Sequence, residues 1–337
     1  MSARTTKLTP SVGSPHSKML GLGIYRPARV VPNAELTEAI DSTDEWIQQR
    51  SGITERRFAG PDESIQMMSV AASRQALERA GLEAAQVDCV IVATVSHMLQ
   101  TPAVATAIAH ELGTEHAPAF DISAACAGFC HGMALGSDMI RAGSAKHVLV
   151  IGVERLTDIV SLNDRGTAFI FADGAGAAVL GPSEEVGIGP VVWGSDGEQF
   201  DLIRQKEDWR DVLEHDHPTM PHLTMQGSAV FRWASFAMAK VGEATLDRTG
   251  ITVDDLDLFV PHQANMRIID AMARSMKLPA HVKIARDIAE QGNTSAASVP
   301  LALGRMIDDG QAKSGDIALL IAFGAGLAYA AQVVKVP

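Results

Sequence analysis

Cys126 stands in DISAACAGFCHG, directly after an apolar run of strand length and at the head of a segment with helical spacing. A thiol at that position meets the unpaired N–H groups and positive dipole end of a helix, which favour its thiolate. Ala124, Ala125, Ala127 and Gly128 leave room around it for a substrate. The same features fit a small buried hydrophobe, so position alone leaves nucleophile and packing residue both open. Cys130, one helical turn on, reads as packing, and Cys89, inside a strand, reads as core. His262, in FVPHQAN, ends another apolar strand. Functional groups gather there in α/β sheets, and so do hydrogen-bonded structural histidines. Asn293, in QGNTSAASVP, leads into a helix and fits either a cap or a ligand contact. Phe323-Gly324-Ala325-Gly326 either brings backbone amides to a ligand oxygen or turns a hairpin. No metal is expected: Cys126-xxx-Cys130 is not a ligand spacing, and His215 and His217 have no further ligands nearby in sequence.

The elements that would position these residues alternate along the chain. The strand of Met19 onward ends at Pro27, and STDEWIQQR (42–50) is a helix with a Ser/Thr cap and acids in its first turn. Residues 67–80 form an amphipathic helix stopped by Gly81. VDCVIVATVS (87–96), APAFDIS (117–123) and HVLVIGVERLT (147–157) are continuous apolar runs, as expected of strands buried on both faces of a parallel sheet. Residues 101–112 read as a helix, and 174–182 with 189–196 as an antiparallel pair. After the polar, Pro-containing stretch 197–225, helices are expected at 229–248, 265–276 and 298–309, with a strand at DLDLFVPH and an apolar strand pair at the end. Mainly parallel α/β architecture follows. The division expected is a disordered extension over 1–18, an N-terminal half over 19–196, a cover or linker over 197–225 and a C-terminal half over 226–337. The halves share element order but little identity, which raises the suspicion of a duplication.

Composition bounds the partners. The chain has 337 residues, 47% of them apolar and 20% charged, which excludes general disorder. Twenty-eight basic against forty acidic residues give a net charge of −12, so nucleic acid is not an expected partner. Three cysteines make no disulfide framework and fit a reduced, cytosolic chain. The most apolar stretch, 317–331, is shorter than the roughly 20 residues of a membrane span and is broken by GAG, so no membrane association is expected. The basic, Ser/Thr-rich start overlaps in composition with transit peptides, although it shows no amphipathic Arg pattern.

In combination, DISAACAGF, RGTAFIFADGAGAAVL, FVPHQANMRII, GNTSAAS and FGAG, in this order, resemble β-ketoacyl-acyl-carrier-protein synthase III across about residues 19–337. The resemblance implies the thiolase fold, two similar halves each with a mainly parallel mixed sheet, layered α-β-α-β-α. It implies the initiating condensation of type II fatty-acid synthesis, with no cofactor. Cys126 would take an acyl group from acyl-CoA. Malonyl-acyl carrier protein would then lose CO2 while His262 and Asn293 hydrogen-bond the developing enolate oxygen, and the carbanion would attack the acyl-Cys. The amides of Cys126 and Ala325 would form the oxyanion hole.

The resemblance extends to recognition. Trp46 and Arg165 match the pair that sandwiches adenine, and Arg50 a phosphate contact. Phe231, Ala264, Asn265 and Phe323 match a pantetheine tunnel, with Ser228 in place of the usual Asn. Arg232, Arg267 and Arg274 match a basic patch for the acidic acyl carrier protein. Phe171 matches an acyl-pocket position. Thr101 stands where many members have a Phe that closes the acyl pocket of the other subunit in a homodimer, so a wider choice of primer is one expectation. Alternatives of other kinds are a starter-unit priming synthase of a polyketide pathway, an acyltransferase to a non-carrier acceptor, and a non-catalytic acyl-CoA-binding scaffold.

Overall fold

The computed structural model describes residues 8–114 and 116–337. In chain order its strands are β1 (His16–Tyr25), β2 (Arg29–Pro32), β3 (Glu55–Phe58), β4 (Cys89–Ala93), β5 (Ala119–Ile122), β6 (Val148–Arg155), β7 (Asp173–Ser183), β8 (Val192–Gly194), β9 (Ile203–Gln205), β10 (Leu223–Met225), β11 (Leu258–Pro261), β12 (Lys283–Ile284), β13 (Ile317–Phe323) and β14 (Tyr329–Lys335). Two five-stranded sheets result, in the orders β1-β7-β6-β4-β5 and β12-β11-β13-β14-β8. In the first, β4 lies parallel to β5 and β6, while β7 runs antiparallel to β6 and β1. In the second, β11 lies parallel to β12 and β13, while β14 runs antiparallel to β13 and β8. One topology is thus used twice, which gives the suspected duplication a structural basis.

Helices Gly128–Ala142 and Ser298–Asp308 lie between the sheets, where Phe129, Met133, Val299 and Leu303 share a core with Val150, Val260 and Leu320. Helices Ile65–Ala80 and Val104–Leu112 cover the outer face of the first sheet, and Gly227–Thr249 and Met266–Ser275 that of the second. Five layers follow, α-β-α-β-α. The small residues after Cys126 make the central layer thin: a Cβ on Gly132 would stand 2.7 Å from Cγ1 of Val150.

Local signals account for most boundaries. Thr43 caps the helix Asp44–Ser51 by accepting the amide of Trp46, and Ser64 caps Ile65–Ala80 by accepting that of Met67. Gly81 ends the latter at φ +65°, a left-handed conformation that favours glycine.

Four expectations are corrected. β1 begins at His16, so residues 16–18 belong to the sheet and not to a disordered extension; Ser14 and Ser11 also bond to the end of helix Gly128–Ala142. The first seven residues of that expected extension lie outside the described residues. The helix expected from Thr101 begins at Val104, because Asp121 accepts the amides of Val104 and Ala105 at 2.8 and 2.9 Å and caps it from β5. The strand over 117–123 is not buried: β5 is the edge of its sheet, with Phe120 exposed. Finally, 174–182 and 189–196 do not pair with each other. β8 pairs with β14, so Val192–Gly194 belong to the second sheet and the halves divide before residue 192. The cover segment 197–225 carries the β9–β10 hairpin and a short helix, Trp209–Leu213.

Candidate active site

A single cavity of about 1360 Å³ gathers the residues singled out above. Cys126, His262, Asn293, Ser295, Phe323 and Ala325 all line it. Cys126 lies in the tight turn Ala125–Ala127 between β5 and the helix Gly128–Ala142. Ala125 before it is held at φ +45°. Gly324 passes so close that a Cβ there would stand 2.5 Å from the Cys126 amide nitrogen. Only glycine permits that approach, which brings the FGAG backbone against the thiol-bearing turn. The FGAG segment also turns β13 into β14, as the hairpin reading expects.

His262 ends β11, its amide bonded to the carbonyl of Ile321. Its ring is buried, edge-on to Phe323 with centroids 5.4 Å apart, and its Nδ1 lies 2.6 Å from Ser298 Oγ. Burial pushes its pKa down to about 3, so the imidazole is neutral at physiological pH. Asn293 is fixed by its backbone, which exchanges hydrogen bonds with Ile170 and Ala172. Its Oδ1 accepts the amide of Ser295 at 2.8 Å, which leaves the Nδ2 hydrogens for the cavity. A thiol, a neutral imidazole and a free carboxamide donor therefore face one space.

Burial pushes the Cys126 thiol up, to about 12, and the nearby Glu154 charge adds to this, while a hydrogen bond to Ser295 opposes it. Enclosure thus acts against the thiolate that the helix terminus favours. Glu154 itself, at the end of β6, is fully buried and pushed up to about 7 by desolvation. It accepts hydrogen bonds from Thr94 Oγ1, Val95 N and Ser96 Oγ on one oxygen and from Ser295 Oγ on the other.

At the cavity's exposed end Arg165 stacks over the ring of Trp46 at 4.9 Å, with Arg50 at 5.9 Å, and Phe169 meets that ring edge-on. Ser228, Phe231, Arg232, Ala264 and Arg267 line the wall, and Phe171 lies deeper. Arg267 stacks over Phe231 at 4.9 Å. Asn265 also lines the cavity, but its side chain caps the helix Met266–Ser275 and donates to the carbonyl of Arg50. Two expected residues are not brought in. Arg274 is exposed, away from the lining, on the same helix as Arg267. Thr101 is exposed on a loop with Met98 and Leu99 and does not line this chain's cavity. Glu154, Ser295 and Ser298 escaped the sequence reading; the only signal for Glu154 was a charged residue inside the apolar run HVLVIGVERLT. Among the described residues no cluster of His, Cys, Asp and Glu is arranged to hold a metal.

Known proteins resemble the chain in sequence and in fold. The family profile described as 3-oxoacyl-[acyl-carrier-protein] synthase III matches residues 120–197, and its C-terminal counterpart matches residues 246–336. The chain is 56% identical to β-ketoacyl-[acyl-carrier-protein] synthase III 1 of Streptomyces coelicolor, covering 98% of this chain and 100% of that one. It is 51% identical to the mycobacterial β-ketoacyl-[acyl-carrier-protein] synthase III of Mycobacterium avium, covering 98% and 99%. Among solved structures, the priming β-ketosynthase of the R1128 polyketide pathway superposes with a TM-score of 0.95 at 48% identity, covering 98% of each chain. The 3-oxoacyl-(acyl carrier protein) synthase III of Pseudomonas aeruginosa does so at 0.88 and 38%, covering 96% and 98%. With its duplicated sheets, its Cys126, His262 and Asn293 in one cavity and these relatives along its whole length, the chain belongs to the β-ketoacyl-[acyl-carrier-protein] synthase III family.

Proposed function

We propose that Cys126, His262 and Asn293 perform the reaction of this condensing enzyme. It joins a primer acyl-CoA to malonyl-acyl carrier protein, with loss of CO2, to initiate fatty-acid synthesis. Cys126 Sγ attacks the thioester, CoA leaves, and the acyl-enzyme remains. The malonyl thioester then places its carbonyl oxygen between His262 and the Nδ2 of Asn293. Negative charge builds on that oxygen only as CO2 departs, so donors fixed beforehand lower the barrier to that step. An imidazole pushed down to about 3 donates without surrendering a proton to the carbanion. The amides of Cys126 and Ala325 donate hydrogen bonds to the oxyanion of each tetrahedral intermediate. The observation that carries this reading is the convergence of a thiol, a neutral imidazole and a free carboxamide on one cavity.

The CoA adenine lies between Trp46 and Arg165, with Arg50 on a phosphate. Arg232, Arg267 and Arg274 receive the acidic carrier, and Phe171 borders the acyl group. The exposed loop of Met98, Leu99 and Thr101 and the exposed edge strand β5 fit a homodimer in which that loop completes the neighbouring acyl pocket. Three free thiols fit a reducing compartment such as the cytoplasm.

A mixture of acetyl-, isobutyryl-, butyryl- and dodecanoyl-CoA, followed by intact mass, tests the reading. One acyl adduct, absent from Cys126→Ala, is expected, and its mass ranks the primers. No adduct from any of the four removes the acyl-enzyme mechanism for them. The second reading, priming of a polyketide chain, is favoured by the closeness of the R1128 enzyme. Comparing fatty-acid and polyketide carrier proteins as malonyl donors separates the two.

A further inference from the structure

The acylation step needs a proton acceptor that the roles above do not supply. As Cys126 Sγ bonds to the thioester carbon, its proton must leave. His262 is a poor destination, pushed down to about 3 by burial. Its Nδ1 is already engaged with Ser298 at 2.6 Å.

Glu154 is a carboxyl with no other evident use. It is fully buried behind the thiol-bearing turn. Oε2 takes three donors, Thr94 Oγ1, Val95 N and Ser96 Oγ, at 3.2, 3.1 and 2.5 Å. Oε1 takes one, Ser295 Oγ at 3.0 Å, and keeps a lone pair. Ser295 lines the same cavity as Cys126, its hydroxyl favours the thiolate, and its turn Ser295–Ala297 lies against Ala125–Ala127. Ser295 is a non-glycine residue held at φ +47°, and its amide is tied to Asn293 Oδ1. A serine hydroxyl has one proton and two lone pairs, so it can accept from a thiol while donating to a carboxylate.

From this chain of contacts we propose that Glu154, acting through the Ser295 hydroxyl, is the proton acceptor for Cys126 during acyl transfer from CoA. The inference rests on the acyl-enzyme reading above. The S–H proton passes to Ser295 Oγ while the Ser295 proton passes to Glu154 Oε1. Sγ bonds to the acyl carbon, and the carbonyl electron pair moves to the oxygen. When the oxyanion collapses and the bond to the CoA sulfur breaks, the proton returns through Ser295 to that sulfur. Cys-SH and acyl-S-CoA become acyl-S-Cys and CoA-SH, with nothing left over.

Glu154, at about 7, is the more basic of the two candidate acceptors, His262 lying at about 3. Cys126 at about 12 rests as a thiol, and Glu154 at about 7 is largely a carboxylate above neutrality. The acceptor is therefore ready, and the proton moves only as attack proceeds. Three hydroxyls, Thr94, Ser96 and Ser295, and one amide face the carboxyl, and the titratable group coupled to it is the Cys126 thiol.

The test uses the full-length enzyme and two half-reactions. Acyl-enzyme formation from acyl-CoA is followed by mass across pH 5.5–9. Condensation is followed separately, as CO2 release, on enzyme acylated beforehand to completion. In the wild type, acylation should rise with pH through an apparent pKa near 7. In Glu154→Gln and Ser295→Ala, acylation should fall on the order of 100-fold at pH 8 and lose that limb. Pre-acylated Glu154→Gln should release CO2 from malonyl-acyl carrier protein at close to the wild-type rate, since decarboxylation precedes the return of a proton to Cys126. Glu154→Gln or Ser295→Ala acylating within about threefold of wild type, with an unchanged pH profile, would overturn the relay. So would an equal loss in both half-reactions, which marks a structural role. Absence of any adduct on wild-type Cys126 would instead remove the acyl-enzyme reading itself.

Discussion

Nδ1 of His262 lies 2.6 Å from Oγ of Ser298, and both side chains are buried. The same oxygen accepts the backbone amide of Gln263 at 3.4 Å. With that donor in place, the Ser298 proton points to Nδ1, and the imidazole proton is left on Nε2, free to donate. Ser298→Ala removes this control. Decarboxylation of malonyl-acyl carrier protein should fall on the order of tenfold to a hundredfold, as for other outer-sphere partners of a functional histidine. Acyl-enzyme formation should stay near normal. CO2 release and the mass adduct, measured on one preparation, check the split.

Trp46 is the stacking platform at the exposed end of the cavity, with Arg165 4.9 Å above its ring. Trp46→Ala should raise KM for acyl-CoA about tenfold, equivalent to about 1.4 kcal/mol of binding, with kcat little changed. Steady-state rates with acetyl-CoA and with acetyl-pantetheine check the assignment, because the truncated substrate lacks adenine and should not distinguish the two proteins.

Arg274 stands on the exposed face of its helix, outside the cavity lining. Arg274→Glu should raise KM for malonyl-acyl carrier protein several-fold, and the difference should shrink as salt is added. Acylation by acyl-CoA should be untouched. Arg267→Glu should disturb both substrates, because Arg267 also packs over Phe231 in the cavity wall.

Burial raises the Glu154 carboxyl from 4.5 to about 7. Between those values the folded protein holds a proton that the unfolded chain releases. Its contribution to stability is therefore greatest below pH 4.5 and is lost as pH rises through 7, by on the order of 3 kcal/mol. Glu154→Gln carries no such charge. Its melting temperature relative to wild type should climb steadily between pH 5 and 8. His262 drives the opposite trend below 6.5, but it is present in both proteins and cancels in the difference. A constant offset across that range would sink this account.

Gly324 meets the Cys126 amide nitrogen so closely that Gly324→Ala must displace backbone. Both the melting temperature and the rate of Cys126 acylation should drop, the latter because the amides proposed to bind the oxyanion move apart. A stable Gly324→Ala enzyme with normal acylation would separate the FGAG turn from the site.

Much of this was legible without coordinates. Cys126 and His262 follow strands, and Asn293 lies in a Gly/Ser/Thr-rich turn before a helix, places where a patterned sequence exposes its polar groups. The continuous apolar runs gave the parallel strands, and Thr43, Ser64 and Gly81 the helix limits. The misses share a cause: they depend on residues far apart in sequence. Helix Val104–Leu112 starts where Asp121 caps it from a later strand. β8 finds its partner only at the C-terminal end of the chain. Glu154 looks like the frayed end of an apolar strand until Ser295 is seen against it. The Cys126 thiol was misjudged because local helix geometry is visible in sequence, whereas the depth of its enclosure is not.

The placement of β14 has a consequence for biosynthesis. It is made after the other described strands, yet it fills the gap between β13 and β8. Until Tyr329–Lys335 emerge, β8 has no partner and β13 shows a bare, apolar edge to solvent or to other nascent chains. The first sheet can close long before this, since β1 and β4–β7 are made by residue 183. Synthesis therefore passes through a half-finished molecule whose exposed edge invites association. Removing the last nine residues should trap the chain in that state, giving insoluble protein and not a merely weakened enzyme.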